Sequence, residues 1–171
     1  MSMKKKISIL SPCFNEEEVL PFFINELFQK INSIKKYDFE IIFIDNASTD
    51  STLEILDNQA KLDSRVTIIL NNRNFGHIRS PYWGMLQTSG DATIYLASDL
   101  EDPPQMISDF IREWESGYEV VLGVKPDFKT NSLFNKLRLL YYKMLTHISD
   151  VPLTHNTTGF GLYDSKVITK L

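Results

Sequence analysis

Short apolar runs alternate with longer segments of helical period along the whole chain, with no repeat, low-complexity tract or linker between them. The runs cover residues 7–11, 39–45, 66–70, 92–98 and 118–124. Most are β-branched and apolar on both faces, as strands buried inside a parallel sheet are. Between them, Leu20, Phe23, Leu27, Ile31 and Ile34 mark one amphipathic helix. Met106, Ile107, Phe110, Ile111 and Trp114 mark another, stopped by Gly117. A further helix is expected over 133–148, and Asp164-Ser165-Lys166-Val167-Ile168 reads as the start of one more. The pattern predicts an α/β, Rossmann-like fold: a mostly parallel sheet flanked by helices in a single domain.

Composition narrows this picture. A chain of 171 residues with 43% hydrophobic and 23% charged positions builds one well-cored domain and is too short for two comfortable ones. The net charge of -4 and pI near 5.4 lack the basic excess that nucleic acid binding needs. The single cysteine, Cys13, closes no intrachain disulfide, which fits a reducing compartment. The basic cluster Lys4-Lys5-Lys6 opens an apolar stretch that ends at Pro12 and meets Glu16-Glu17-Glu18, too short and too soon acidic for a signal peptide. No window offers the roughly 20 apolar residues of a spanning helix, so a soluble chain is expected, and with the cysteine usage the cytoplasm is its default compartment. The helix start so near Leu171 suggests a C-terminal truncation.

Ligands of open parallel sheets sit beyond the carboxyl ends of the strands, and here those segments are unusually polar. Ser11-Pro12-Cys13-Phe14-Asn15-Glu16 follows the first strand, Asp45-Asn46-Ala47-Ser48-Thr49-Asp50 the second, and Ser98-Asp99-Leu100-Glu101-Asp102-Pro103-Pro104 the fourth. Acidic clusters from all of them converge on one crevice. Neither a G-x-G-x-x-G fingerprint nor a P-loop follows the first strand. The glutamates at the expected helix start would repel a phosphate, so a nucleotide bound there would offer hydroxyls or base N–H groups. Asn15 with Glu18 has the form of a capping box, leaving Asn15 open between cap and ligand contact, whereas Glu16 has no capping duty. Asp45 ends an apolar run, placed to accept from a base imide or a ribose hydroxyl; Ser51 and Glu54 would cap the next helix.

Asp102-Pro103-Pro104-Gln105 reads as a helix start with Asp102 as N-cap and Pro103 in the first turn. Asp99 has no such duty, and its carboxylate suits a hard divalent cation that would neutralise a diphosphate. Glu101, two residues on, reaches the same ion or remains a solvated turn residue. After the third strand, a turn in Arg73-Asn74-Phe75-Gly76-His77-Ile78-Arg79 presents two arginines and a histidine. His77 there is either a phosphate contact or a turn residue, while His147 and His155 read as structural.

Taken in order, Pro12-Cys13-Phe14-Asn15-Glu16, Asp45 to Asp50, Arg73 to His77 and Ser98 to Pro104 resemble the motif set of glycosyltransferase family 2, in particular its bacterial dolichol-phosphate mannose synthase-like branch. The resemblance implies a GT-A fold, a nucleotide-diphosphate sugar donor, magnesium or manganese, and inverting transfer to an acceptor such as polyprenyl phosphate at the inner face of the cell membrane. It implies that Pro12, Phe14, Glu16 and Asp45 surround the nucleoside, with Asn15, Asn46, Ser48, Arg73, Gly76 and His77 in the same motifs. Asp99 would be the final acid of the DxD metal motif, with Glu101 beside it as a metal-site and catalytic candidate. The resemblance also implies further helices beyond Leu171. Departures accompany it: Ala97 replaces the leading acid of DxD, Thr158-Gly159-Phe160-Gly161-Leu162 stands where many relatives carry G-D-F-R-L, and Asn46 replaces the second acid of the nucleoside-side pair. The missing acids keep a non-catalytic nucleotide-sugar binding module or regulatory subunit as the rival reading. A nucleotidyltransferase should show a Gly-rich loop where Pro12-Cys13-Phe14 stands.

Overall fold

The computed structural model describes residues 4–124 and 157–171. The helix expected over 133–148, with His147 and His155, lies outside the described residues. The elements are β1 (Lys6–Cys13), α1 (Leu20–Ser33), β2 (Asp38–Asp45), α2 (Thr52–Leu62), β3 (Val66–Leu70), α3 (Gly76–Met85) and β4 (Ala92–Tyr95). They continue with a 3-10 turn (Pro104–Met106), α4 (Ile107–Glu115), β5 (Val120–Val124), β6 (Thr157–Asp164) and α5 (Ser165–Ile168). Met1–Val121 with Phe160–Leu171 forms one compact unit and Leu122–Gly159 a second; the residues of the strand-end loops described below belong to the first.

The sheet runs β3-β2-β1-β4-β6-β5. β1 pairs in parallel with β2 and with β4, and β2 with β3, so the carboxyl ends of these strands share one edge. β6 runs antiparallel to β4, with Tyr95 opposite Gly161. The mostly parallel sheet was expected, but β6 was not. Its segment carries Gly159 and Gly161, which depress strand propensity, and the extended form is stabilised by its place in the sheet between β4 and β5.

Ile7, Ile9, Ile41, Phe43 and Ile94 point to one face of the sheet, where they pack with Leu20, Phe23, Leu27 and Ile31 of α1, Leu56 of α2 and Phe110 and Trp114 of α4. The alternate residues Leu10, Ile42 and Ile44 face the other side with Ile69, Met85 and Tyr95. α3 seats there through Gly84: a Cβ at that position would lie 2.1 Å from Ile44 Cδ1 and 2.7 Å from Leu10 Cδ1.

The expected helix starts shift. α1 begins at Leu20, after a turn in which the Val19 and Leu20 amides donate to the Glu16 carbonyl, so Glu16-Glu17-Glu18 precedes the helix and no Asn15–Glu18 capping box forms. Ser51 occupies the N-cap of α2 without a side-chain cap bond. The 3-10 turn has Pro103, not Asp102, at its N-cap, and Gln105 Nε2 donates to Glu26 instead of closing a box. β4 ends at Tyr95 rather than Ser98. The turn expected at Arg73 to Arg79 is instead the entry to α3, which starts at Gly76 and was hidden from the pattern by Pro81 inside it.

Candidate functional site

Three loops leave the shared strand edge, after β1, β2 and β4, and each contains a non-glycine residue in the left-handed region: Asn15 (φ 55), Ala47 (φ 63) and Leu100 (φ 61). Such residues are uncommon and cluster where the surrounding structure over-determines the backbone. Here the determinants are visible. The amides of Asn15, Glu16 and Glu17 donate to Ser48 Oγ (3.0 Å), Thr52 Oγ1 (2.7 Å) and Asp50 Oδ2 (3.1 Å). In return, Asn15 Oδ1 accepts the Thr49 N–H at 2.8 Å and Glu17 Oε2 the Ser51 N–H at 2.9 Å. These bonds stitch the first loop to the second and engage the amides ahead of α1. A diphosphate therefore finds no amide cradle there, in keeping with the absent glycine motif.

Asp45, the last residue of β2, is fully buried. Its Oδ2 accepts the Ser48 N–H at 3.1 Å, while Oδ1 is buried without a hydrogen-bond partner among the described residues. An orphaned carboxylate oxygen at a strand end is costly unless a ligand donates to it. Asn46 is nearly buried and fully engaged: Oδ1 accepts from the Phe75 amide (3.0 Å) and Asn71 Nδ2 (3.1 Å), and Nδ2 donates to Asn74 Oδ1 (2.9 Å). It thereby ties the second loop to the segment entering α3. Gly76 (φ 81) and the exposed His77 form the first turn of that helix, and the Arg73 guanidinium stacks on Phe75 at 4.8 Å.

The fourth-strand loop is joined to the first by Ser98 Oγ, which donates to the Pro12 carbonyl at 3.0 Å. Asp99 is exposed, and its Oδ1 accepts the Glu101 N–H at 3.0 Å, closing a small turn over Leu100. Electrostatics place these acids in one neighbourhood. The Glu16 carboxyl is raised above its ordinary range by burial and by the charges of Asp99 and Asp50. The Cys13 thiol is pushed up to about 12 by burial, with Asp45 and Glu16 adding to the shift against a lowering Ser98 bond, so it stays protonated and unreactive. Tyr95 is raised to about 12 by burial and by Asp102 and Asp99. Asp102 is buried next to that phenol rather than capping a helix.

Pro12, Asn15, Glu16, Asp45, Ser48 and Asp99 are thus gathered on one rim, with Phe14 42% exposed beside them. Arg73, Gly76 and His77 stand at the β3 end of that edge, linked to it through Asn46. Sequence reasoning missed Asp50 and Thr52 as loop-stitching residues; the motif Asp50-Ser51-Thr52 was legible, but its partners lie more than 30 residues away.

Mutually repelling carboxylates at an open edge suit a hard cation. Among the described residues no group of three or more His, Cys, Asp or Glu is arranged to hold a metal ion by itself. A magnesium-like ion, which takes one or two carboxylates and completes its shell with phosphate oxygens and water, fits Asp99 at this rim.

Residues 8–171 match the family model described as Glycosyl transferase family 2. The chain belongs to glycosyl transferase family 2. As a family 2 chain it is 34% identical, over its full length, to the uncharacterized glycosyltransferase YkcC of Bacillus subtilis, covering 53% of that protein. It is also 34% identical to the bactoprenol glucosyl transferase of Shigella phage SfX, over 97% of this chain and 54% of the relative. The chain therefore spans about half the length of these curated relatives. Among solved structures it resembles the mannosyltransferase PcManGT from Pyrobaculum calidifontis in complex with GDP-Man and Mn2+ (TM-score 0.62, 16% identity, 99% of this chain and 47% of that one). It also resembles TarS of S. aureus (TM-score 0.60, 19% identity, 96% and 48%). These likenesses establish the GT-A fold. Among the described residues no helix is long and apolar enough to cross a membrane.

Proposed function

We propose that this family 2 chain forms one catalytic domain. In it the rim binds a nucleoside-diphosphate sugar and the sugar passes with inversion to a polyprenyl phosphate. The observation that carries the reading is the buried Asp45 with its orphaned Oδ1, at the strand edge whose loops also carry Glu16 and Asp99. A nucleobase imide or ribose hydroxyl would satisfy that oxygen, with Glu16 taking a second hydroxyl and the exposed Phe14 ring covering the nucleoside. Pro12, Asn15 and Ser48 shape the wall, and Asn46 positions the segment that carries Arg73, Gly76 and His77 toward the phosphates.

A divalent cation, magnesium or manganese, would supply Lewis-acid neutralisation of the leaving diphosphate. Asp99 would hold it, with Glu101 as the second oxygen donor in place of the acid absent at Ala97. The acceptor phosphate arrives ionised and needs no general base, consistent with a chain that has Gly159 where an acid stands in many relatives. Gly159 has φ 85, a backbone that glycine adopts without strain. Relatives named as bactoprenol glucosyl transferase and undecaprenyl-phosphate 4-deoxy-4-formamido-L-arabinose transferase support a lipid-phosphate acceptor, and the proposal sets the transfer at the inner membrane face.

Ala97 favours the rival, a binding module without turnover. The two are separated by incubating the chain with labelled nucleotide sugars, manganese and a short-chain polyprenyl phosphate, then following glycolipid and its anomeric configuration by NMR. Glycolipid of inverted configuration is expected. Donor binding with no glycolipid would establish the binding module.

A further inference from the structure

α3 is built inside out. Its sheet-facing side carries Ser80, Pro81 and Gly84, all buried, with Met85 partly buried at its end, whereas its outer side carries Ile78 (72% exposed), Trp83 (52%), Tyr82 (45%) and the adjoining Leu86 (42%). An ordinary surface helix does the opposite, as α4 does by burying Ile107, Phe110, Ile111 and Trp114. Ile78, Tyr82 and Leu86 recur every fourth residue and form one row; Arg79 and Trp83 form the row beside it. The Tyr82 hydroxyl donates to the Leu171 carbonyl at 2.9 Å, which pins the ring and leaves much of it exposed. Next to this face lies a cavity of about 340 Å³ lined by Asn71, Phe75, Arg79, Ser80 and Trp83.

The charge of this region departs from that of the chain. From Ser64 to Gly90 there is no Asp or Glu, although the whole chain carries -4, and the cations Arg73 and Arg79 are exposed at the start of the helix. Apolar and indole side chains bordered by guanidinium groups, in a segment free of Asp and Glu, match the boundary of an anionic bilayer, where aromatic rings sit at headgroup depth and arginines meet phosphate. A second copy of this chain fits less well, because a two-fold contact through this face would bring the arginines of both copies into one patch with no Asp or Glu from residues 64–90 to pair with them.

We infer that the outer face of α3 rests on the surface of an anionic membrane, with Ile78, Tyr82, Trp83 and Leu86 in the headgroup boundary and Arg79 holding a lipid phosphate at the mouth of the cavity. This deepens the proposed lipid-phosphate acceptor reading by naming the surface that brings the site to the bilayer, and it rests on that reading.

The chain contains two tryptophans, the exposed Trp83 and the buried Trp114, so lipid contact can be read directly. Vesicles of phosphatidylglycerol and phosphatidylcholine in equal parts, doped with brominated lipid, should sediment the chain and quench its fluorescence. Trp114→Phe should keep the quenching and Trp83→Phe should lose it while sedimentation persists. Ile78→Ser combined with Trp83→Ser should weaken vesicle binding by about tenfold or more, and Arg79→Ala should reduce the preference for phosphatidylglycerol. Ile78, Arg79 and Trp83 are exposed, so the thermal melts of their variants should match the parent.

No binding to the anionic vesicles, or binding unchanged in the double variant, would overturn the inference, as would a stable dimer that the double variant dissolves. Nucleotide-sugar binding measured on the same samples keeps the two readings apart. A chain that binds and transfers sugar but ignores vesicles sinks the membrane face alone, and one that binds vesicles but no nucleotide sugar sinks the proposed function alone.

Discussion

Asp45 ends a strand whose other buried positions are apolar, and the sequence showed its oddity because a carboxylate there interrupts the run. What the sequence could not show is that Ser48 satisfies only one of its oxygens. Asp45→Asn keeps an acceptor for the Ser48 amide and presents a donor or a neutral oxygen to the ligand. Calorimetry should show nucleoside-diphosphate affinity falling by about tenfold or more, equivalent to roughly 1.4 kcal/mol, with the fold intact. Asn15 teaches the opposite lesson. Its spacing to Glu18 is a local pattern, and the local reading lost to a partner at Thr49, which is near only after β1 and β2 pair. Asp102 is a second such case, since Pro103 takes the cap position and leaves the carboxylate buried beside Tyr95.

At the level of elements, the amino-terminal strand edge carries a polar clamp opposite the site. Glu40 of β2 accepts from Ser8 Oγ of β1, from the Ser89 amide and hydroxyl, and from Lys6 Nζ at 3.1 Å. Burial alone would raise the Glu40 carboxyl, but these hydrogen bonds prevail and hold it below the ordinary glutamate range. A depressed carboxyl contributes stability that is complete above the unfolded pKa and is lost as pH falls through the folded one. Glu40→Gln should therefore lower the melting temperature at neutral pH, costing about 1–3 kcal/mol, and flatten the acid limb of the stability curve.

α3 makes a second prediction. Gly84→Ala drives a methyl group into Ile44 and Leu10 and should cost about 1–3 kcal/mol by overpacking, read in denaturant melts. The helix was illegible because most of its large apolar residues face outward and Pro81 interrupts it, so neither periodicity nor propensity marks it. α1 and α4 were legible for the converse reason: their apolar stripes are the core.

Across the molecule, the parallel strands from β1 to β4 followed from β-branched runs, and their shared carboxyl edge from the parallel order, so the site's location could be stated before any coordinates. The antiparallel β6 could not, because its glycines suppress the strand signal and its neighbour β4 lies over 60 residues earlier. The same geometry gathers Glu16, Asp45 and Asp99 at one edge, and the central claim of the proposed function is that nucleotide binding there depends on a divalent ion held at Asp99.

The direct measurement is thermal stabilisation of the chain by a panel of nucleoside diphosphates and their sugars, with manganese and with excess EDTA, in the parent and in Asp99→Ala. At about 100 times the dissociation constant the matching nucleotide should add roughly 2.7 kcal/mol with manganese. That gain should largely vanish in EDTA and in Asp99→Ala, while the variant's unliganded melt stays unchanged. Equal stabilisation in EDTA, full stabilisation of Asp99→Ala, or no response to any nucleotide in the panel would contradict the account.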